Sequence, residues 1–121
     1  MVPAISRITL YTRDMSVTAA FYQRYFGFEV VPDEAGGMIE LHSPVGGLAI
    51  YLHPAAKSIK LGHVGIKLVF DVEDVEAFKR ESAERGLVFG PTHQGDGYCF
   101  ANAKDPDKNS LSISSRAWRQ R

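Results

Sequence analysis

The feature that most constrains this 121-residue chain is an internal repeat: one succession of strand, helix and turn signals occurs twice, at a period of about 60 residues. In the first copy, Ile5 to Thr12 alternates, with Ile8, Leu10 and Thr12 on one side and Arg7, Thr9 and Tyr11 on the other, which predicts a strand. Asp14 or Ser16 then caps a helix over about Ser16 to Phe26. This helix places Val17, Ala20, Phe21 and Tyr25 at helical spacing and stops at Gly27, a residue that accepts the left-handed turn of a helix end. Phe28, Val30 and Val31 begin another strand, which Pro32, Asp33, Gly36 and Gly37 break. Met38 to His42 is extended again, Ser43 to Gly47 turns, and Leu48 to His53 alternates.

From His63 the order returns. Ile66, Leu68, Phe70 and Val72 repeat Ile8, Leu10 and Thr12, and Asp74 repeats Asp14. A helix from about Val75 to Arg85 ends at Gly86, and Pro91 follows its strand as Pro32 does. Tyr98 to Asn102 stands for Met38 to His42, and Asp105-Pro106 stands for Ser43-Pro44 ahead of a last strand, Ser110 to Ser114. The chain therefore reads as α+β: two βαβββ repeats, about 1–57 and 58–121, forming a half-open mixed-sheet cleft within a single domain, 1–121.

In such a unit the helix covers one sheet face, and the other face is open to a partner or a ligand. Alternation assigns Ile8, Leu10, Ile66, Leu68 and Phe70 to the helix side. Arg7, Thr9, Tyr11, His63, Lys67, Val69 and Asp71 go to the open side, which is polar and unlike a dry core.

Charge and cysteine content narrow the function classes. Lys plus Arg and Asp plus Glu each total 14, and they balance 5 against 5 over residues 1–60 and 9 against 9 over 61–121, so no polyanion is expected as partner. Arg116, Arg119 and Arg121 around Trp118 read as a solvated tail rather than a nucleic-acid site. Cys99 is the sole cysteine, which excludes an internal disulfide and fits a reducing compartment. Between Tyr98 and Phe100 it reads as an inert packed thiol rather than a nucleophile. The stretch Met1 to Tyr11 meets charge at Arg7 and lacks the apolar run of a secretory signal. The longest charge-free apolar stretch, Pro44 to Leu52, is strand-sized, so a cytoplasmic protein without membrane contact is expected. No phosphate-loop pattern or G-x-S-x-G is present. Gly36-Gly37, Gly46-Gly47 and Gly95-x-Gly97 fall at turns.

Three stretches in order, "ISRITLYTRDMSVTAAFYQRYFGFEVV", "IKLVFDVEDVEAF" and "ANAKDPDKNSLSI", resemble the glyoxalase, bleomycin-resistance and extradiol dioxygenase superfamily, also called the vicinal oxygen chelate superfamily. Asp14, Phe21-Tyr22 and Phe26-Gly27-Phe28 stand where the family has Asp, Phe-Tyr and Leu-Gly-Phe. Lys108 replaces the Gly of its Asp-Pro-Asp-Gly-Asn turn. The resemblance implies two half-barrel units enclosing a cleft, usually in a homodimer. In catalytic members it implies a divalent metal held by His, Gln or Glu on the first and last strands of each unit.

Carried over residue by residue, the first-strand ligand positions, seven before Asp14 and Asp74, are Arg7 and Lys67. The last-strand Glu position falls on Ser112, and its first-unit counterpart on Tyr51 or Ala49. A guanidinium or an ammonium offers no lone pair and repels a cation, so neither a metal nor another cofactor is expected, and no residue is assigned a catalytic role. The expectation is a protein that binds a small, acidic or aromatic organic molecule. Arg7 and Lys67 would hold its acid, Tyr11 and Tyr51 would flank its body, and Asn102 and Ser112 would add hydrogen bonds. Three readings compete with it. Glu40 or Asp71 would pair the two cations internally. A divergent metal-dependent lyase, isomerase or dioxygenase would draw ligands from His42, His53, His63 or Glu40, with His93 as the remaining histidine. A scaffold would have its cleft filled.

Overall fold

A computed structural model describes residues 1–33, 35 and 37–120. Gly36 of the expected Gly36-Gly37 turn and Arg121 of the basic tail lie outside the described residues. The chain divides into two compact units, Met1–Leu61 and Gly62–Arg121, each taken by itself below. Both are α+β, with one helix on one four-stranded mixed sheet.

Unit 1 runs β1 (Arg7–Thr12), α1 (Met15–Phe26), β2 (Glu29–Asp33), β3 (Met38–His42) and β4 (Ala49–Pro54), with strand order β1-β4-β3-β2. β1 and β4 are parallel, and the other neighbours are antiparallel. α1 starts where a carboxylate meets bare backbone donors: Asp14 Oδ1 accepts from the N–H groups of Ser16 and Val17. It stops at Gly27, whose φ of 72° is left-handed and whose N–H closes on the Gln23 carbonyl. The core lies between α1 and the inner sheet face, where Leu41, Ile50, Leu52, Tyr22 and Phe28 are buried. Burying a Leu, Ile or Phe side chain of this kind contributes roughly 1.5–3 kcal/mol.

The buried stripe of α1 differs from the one that spacing predicts. Thr18, Ala19 and Tyr22 are buried, whereas Val17 and Ala20 are exposed and Phe21 and Tyr25 only partly covered. The helix is rotated toward its polar anchor, because the Thr18 and Thr12 hydroxyls meet at 2.7 Å in the core and Tyr22 sets its ring edge-on to Phe28. Pro32 does not end β2 as expected but lies within it. This is tolerated because β2 is an edge strand and proline withholds an N–H that no neighbour requires.

Unit 2 repeats the plan as β5 (Lys67–Asp71), α2 (Val75–Glu84), β6 (His93–Gln94), β7 (Cys99–Lys104) and β8 (Ser110–Ser114), in the order β5-β8-β7-β6. Asp74 caps α2 through the Ala77 N–H. The strand expected ahead of Pro91 does not form. Gly90 N–H reaches the Asn102 carbonyl, but Pro91 has no N–H to extend the ladder, and pairing resumes only over the two residues of β6. Ile66 and His63, assigned to β5 by alternation, lie before it and are exposed. A short 3-10 turn, Arg116–Trp118, follows β8 and lays the Arg116 and Arg119 guanidiniums 5.6 and 5.9 Å from the Tyr98 ring centroid.

Candidate ligand-binding faces

The pairing registers decide which residues share an open face. In unit 1, Arg7 stands opposite Ala49, Thr9 opposite Tyr51, Tyr11 opposite His53, and Glu40 opposite Tyr51. These residues alternate with Ile8, Leu10, Ile50, Leu52 and Leu41, which are partly or fully buried toward α1, so the polar set faces away from the helix. In unit 2, Lys67 stands opposite Ser110, Val69 opposite Ser112, and Asn102 opposite Ser112.

Laid on each other, the registers settle the choice between Tyr51 and Ala49. Arg7 and Lys67 both start their strands and face Ala49 and Ser110. Two pairs further along, Tyr51 occupies the place of Ser112, and Glu40 that of Asn102.

The unit 1 face is built around the half-buried Tyr51. The Arg7 guanidinium carbon lies 5.1 Å from the Tyr51 ring centroid, and the His42 ring stands edge-on to it with centroids 6.1 Å apart. Arg7 is exposed and forms no salt bridge with any described residue of its unit. Glu40, the expected internal partner for the cation, pairs with His42 instead: Oε1 lies 2.9 Å from His42 Nε2. Both residues are on β3 and point to the same side, two residues apart, whereas the Arg7 stem begins two strands away. Tyr11 is not part of this cluster. Its ring packs edge-on against His53 at 5.5 Å, at the far end of β1 from Arg7.

On the unit 2 face the Lys67 ammonium donates to Asn102 Oδ1 at 3.0 Å and lies 5.9 Å from the Phe100 centroid. Asp71, the other expected internal partner, sits at the opposite end of β5, and Lys67 likewise forms no salt bridge with a described residue of its unit. Ser112 is buried, and its Oγ reaches only the Ile113 carbonyl, at the 3.5 Å limit of a hydrogen bond. His93 stacks on Phe100 with centroids 5.1 Å apart. Cys99 is half-buried on the helix side of β7, its sulfur 3.9 Å from the Ser115 hydroxyl.

Sequence reasoning selected Arg7, Lys67, Tyr51 and Asn102, which the structure groups as two cation–aromatic clusters, one in each unit. It missed the pairing of His42 with Glu40 beside Tyr51. The i, i+2 spacing of two polar residues in a strand was the available signal, since it puts both on one face.

The chemistry of this donor set does not suit a divalent metal at the inherited positions. Arg7 and Lys67 have no lone pair to give, Ser112 is a neutral hydroxyl, and Tyr51 is a phenol stacked under a guanidinium. Among the described residues no group of three or more His, Cys, Asp or Glu is placed to hold an ion. The arrangement instead suits an anion. A guanidinium over a ring keeps its N–H fork for a carboxylate, and an ammonium bonded to one amide oxygen has further protons to donate.

Comparison with known proteins supplies a family. The model of the Glyoxalase/Bleomycin resistance protein/Dioxygenase superfamily matches residues 4–113. No curated protein matches the sequence significantly. Among solved structures, TnmS3, an antibiotic binding protein from Streptomyces sp. CB03234, superposes with a TM-score of 0.77 at 18% identity, covering 93% of this chain and 94% of that one. A lactoylglutathione lyase from Agrobacterium tumefaciens superposes at 0.72 with 23% identity, covering 95% and 96%. A superfamily member from Sphaerobacter thermophilus reaches 0.76 at 19% identity, covering 93% and 97%. Likeness at these identities is likeness of fold. No helix among the described residues is long and apolar enough to cross a membrane.

Proposed function

The chain belongs to the glyoxalase/bleomycin resistance protein/dioxygenase superfamily, and within it we propose that the protein binds a small organic acid, preferably aromatic, on its open sheet faces without a metal. The observation that carries this reading is the Arg7 guanidinium stacked on Tyr51 without a salt bridge to any described residue of its unit, at a position where metal-dependent relatives have a ligand. A cation left without a carboxylate on a half-covered surface attracts an anion, and the ring below it provides a flat apolar wall. In unit 2, Lys67 would take an acidic group in the same way, with Asn102 holding the ammonium in place. Ser112 would provide a hydroxyl in the strand beside it. Tyr11 would contribute only to a ligand long enough to run the length of β1. TnmS3, of like fold, is an antibiotic binding protein, so the architecture accommodates a small-molecule site. We place the protein in the cytoplasm as a homodimer, with neither nucleic acid nor membrane as partner.

The reading is tested by calorimetric titration of a panel of aromatic carboxylates into metal-free wild type, Arg7→Ala and Lys67→Ala. At least one acid should bind wild type and lose tenfold or more in affinity in Arg7→Ala, the size expected when a charge-assisted hydrogen bond is removed. Binding only after a divalent metal is supplied would instead favour a metal-dependent lyase, isomerase or dioxygenase.

A further inference from the structure

The Glu40–His42 pair has no part in holding an acid, yet it sits against the same tyrosine as Arg7. The histidine's partner fixes which tautomer its neutral imidazole adopts. An ionised carboxylate only accepts hydrogen bonds, so a neutral His42 carries its proton on Nε2, pointed at Glu40, and presents the lone pair of Nδ1. No described residue bonds that Nδ1. The His42 side chain is 43% exposed and that of Glu40 27%, so the acceptor lies on an accessible face while the group that orients it is the more covered of the two.

The sheet also sets the spacing. Arg7 stands opposite Ala49, and continuing the pairing of Leu41 with Ile50 by one residue brings His42 opposite Ala49 from the other side. Arg7, Ala49 and His42 therefore form one row across three strands, with about 10 Å between the outer Cα atoms. The middle residue is a methyl group, so the row is low at its centre and high at both ends, and the Tyr51 ring lies alongside it.

We propose that His42, oriented by Glu40, receives a hydrogen-bond donor from the ligand, so that the compounds favoured by the unit 1 face are aromatic acids with a hydroxyl group remote from the carboxylate. The proposal rests on the acid-binding reading above and specifies it. Arg7 takes the carboxylate, Tyr51 flanks the ring, and Nδ1 of His42 accepts a hydrogen bond from the phenolic O–H at the far end.

The test compares matched probes, 4-hydroxybenzoate with 4-methoxybenzoate and 4-hydroxycinnamate with 4-methoxycinnamate, by calorimetry at one pH. Each pair keeps the acid and the ring and differs in whether the remote oxygen donates. Wild type should bind the hydroxy member of at least one pair about tenfold more tightly. His42→Phe, which keeps a ring beside Tyr51, should bring the two affinities together, and Glu40→Gln should narrow the gap. Glu40→Gln carries the comparison alone if circular dichroism shows His42→Phe unfolded. Equal binding of both members by wild type, with affinity still dependent on Arg7, would overturn the role of His42 and leave the acid-binding reading standing. A preference that survives in both variants would do the same. Failure of all four acids to bind would overturn both.

Discussion

The guanidinium of Arg7 lies over the Tyr51 ring, 5.1 Å from its centroid, and the two side chains reach each other from adjacent parallel strands two residue pairs apart. A cation–aromatic contact at a partly wet site contributes about 0.5–1 kcal/mol, too little to be a mainstay of the fold but enough to hold a long side chain in one orientation. Arg7→Lys keeps the charge and loses the planar fork. It should weaken binding of an aromatic acid about tenfold while moving folding stability by no more than about 0.5 kcal/mol, read by calorimetry and by urea unfolding.

In unit 2 the amide of Asn102 holds the Lys67 ammonium without neutralising it. Asn102→Asp changes one atom group and supplies the missing countercharge. An anion whose binding depends on Lys67 should therefore be lost from Asn102→Asp to the same extent as from Lys67→Met, with the circular dichroism spectrum unchanged. A variant that bound the anion as well as wild type would show that Lys67 is not its partner.

Metal titration bears directly on Arg7, Lys67 and Ser112. A ligand that binds only the folded state at a hundred times its Kd adds about 2.7 kcal/mol of stability. The melting temperature should be the same in chelator and in excess Zn, Ni, Mn or Fe(II). A rise of several degrees with any of these ions would show a site that the donor chemistry of the inherited positions does not provide.

The turn before β8 carries a local strain and a local anchor. Asp105, 4% exposed, accepts from the N–H groups of Asp107 and Asn109 and from the Asn109 side chain, while Lys108 is forced to a φ of 68°. Lys108→Gly should stabilise the protein by up to about 1 kcal/mol, because glycine adopts that conformation without the side-chain penalty. Asp105→Ala should cost about 2–3 kcal/mol, since three donors lose a charged acceptor. A Cβ on Gly62 would come within 2.8 Å of the Lys108 Cβ, so Gly62→Ala is destabilising and Lys108→Gly should recover part of the loss. Thermal or chemical denaturation of the four variants checks the set.

Ser82 is fully buried in α2, and its hydroxyl has no hydrogen-bond partner among the described residues. Ser82→Ala removes an unpaired polar atom and improves helix propensity. It should raise stability by about 1 kcal/mol, measured as an increase in the urea midpoint at unchanged slope.

The repeated plan was legible in the amino-acid order because its signals are local. Alternation in Arg7–Thr12 and Lys67–Asp71, the caps Asp14 and Asp74 and the stop at Gly27 each depend on residues within one turn or strand of one another. The limits of β8, Ser110–Ser114, were legible for the same reason. That Arg7 and Lys67 stand at the family's metal-ligand positions is what the resemblance implies, counted back seven residues from Asp14 and Asp74.

Tertiary structure decided what depends on neighbours distant in sequence. Whether Tyr51 or Ala49 matches Ser112 is a question of register between paired strands, and a slip in the Ser43 to Gly47 turn would change it without altering any local pattern. The buried stripe of α1 was set by the meeting of Thr12 and Thr18 and by Phe28 against Tyr22, contacts no helical spacing reveals. Glu40 had Arg7 and Lys67 as cationic candidates in the sequence, and only the placement of β3 two strands from β1 gave it to His42 on its own strand and left Arg7 without it. Sequence periodicity specifies which way a side chain points, and pairing across the sheet specifies what it meets.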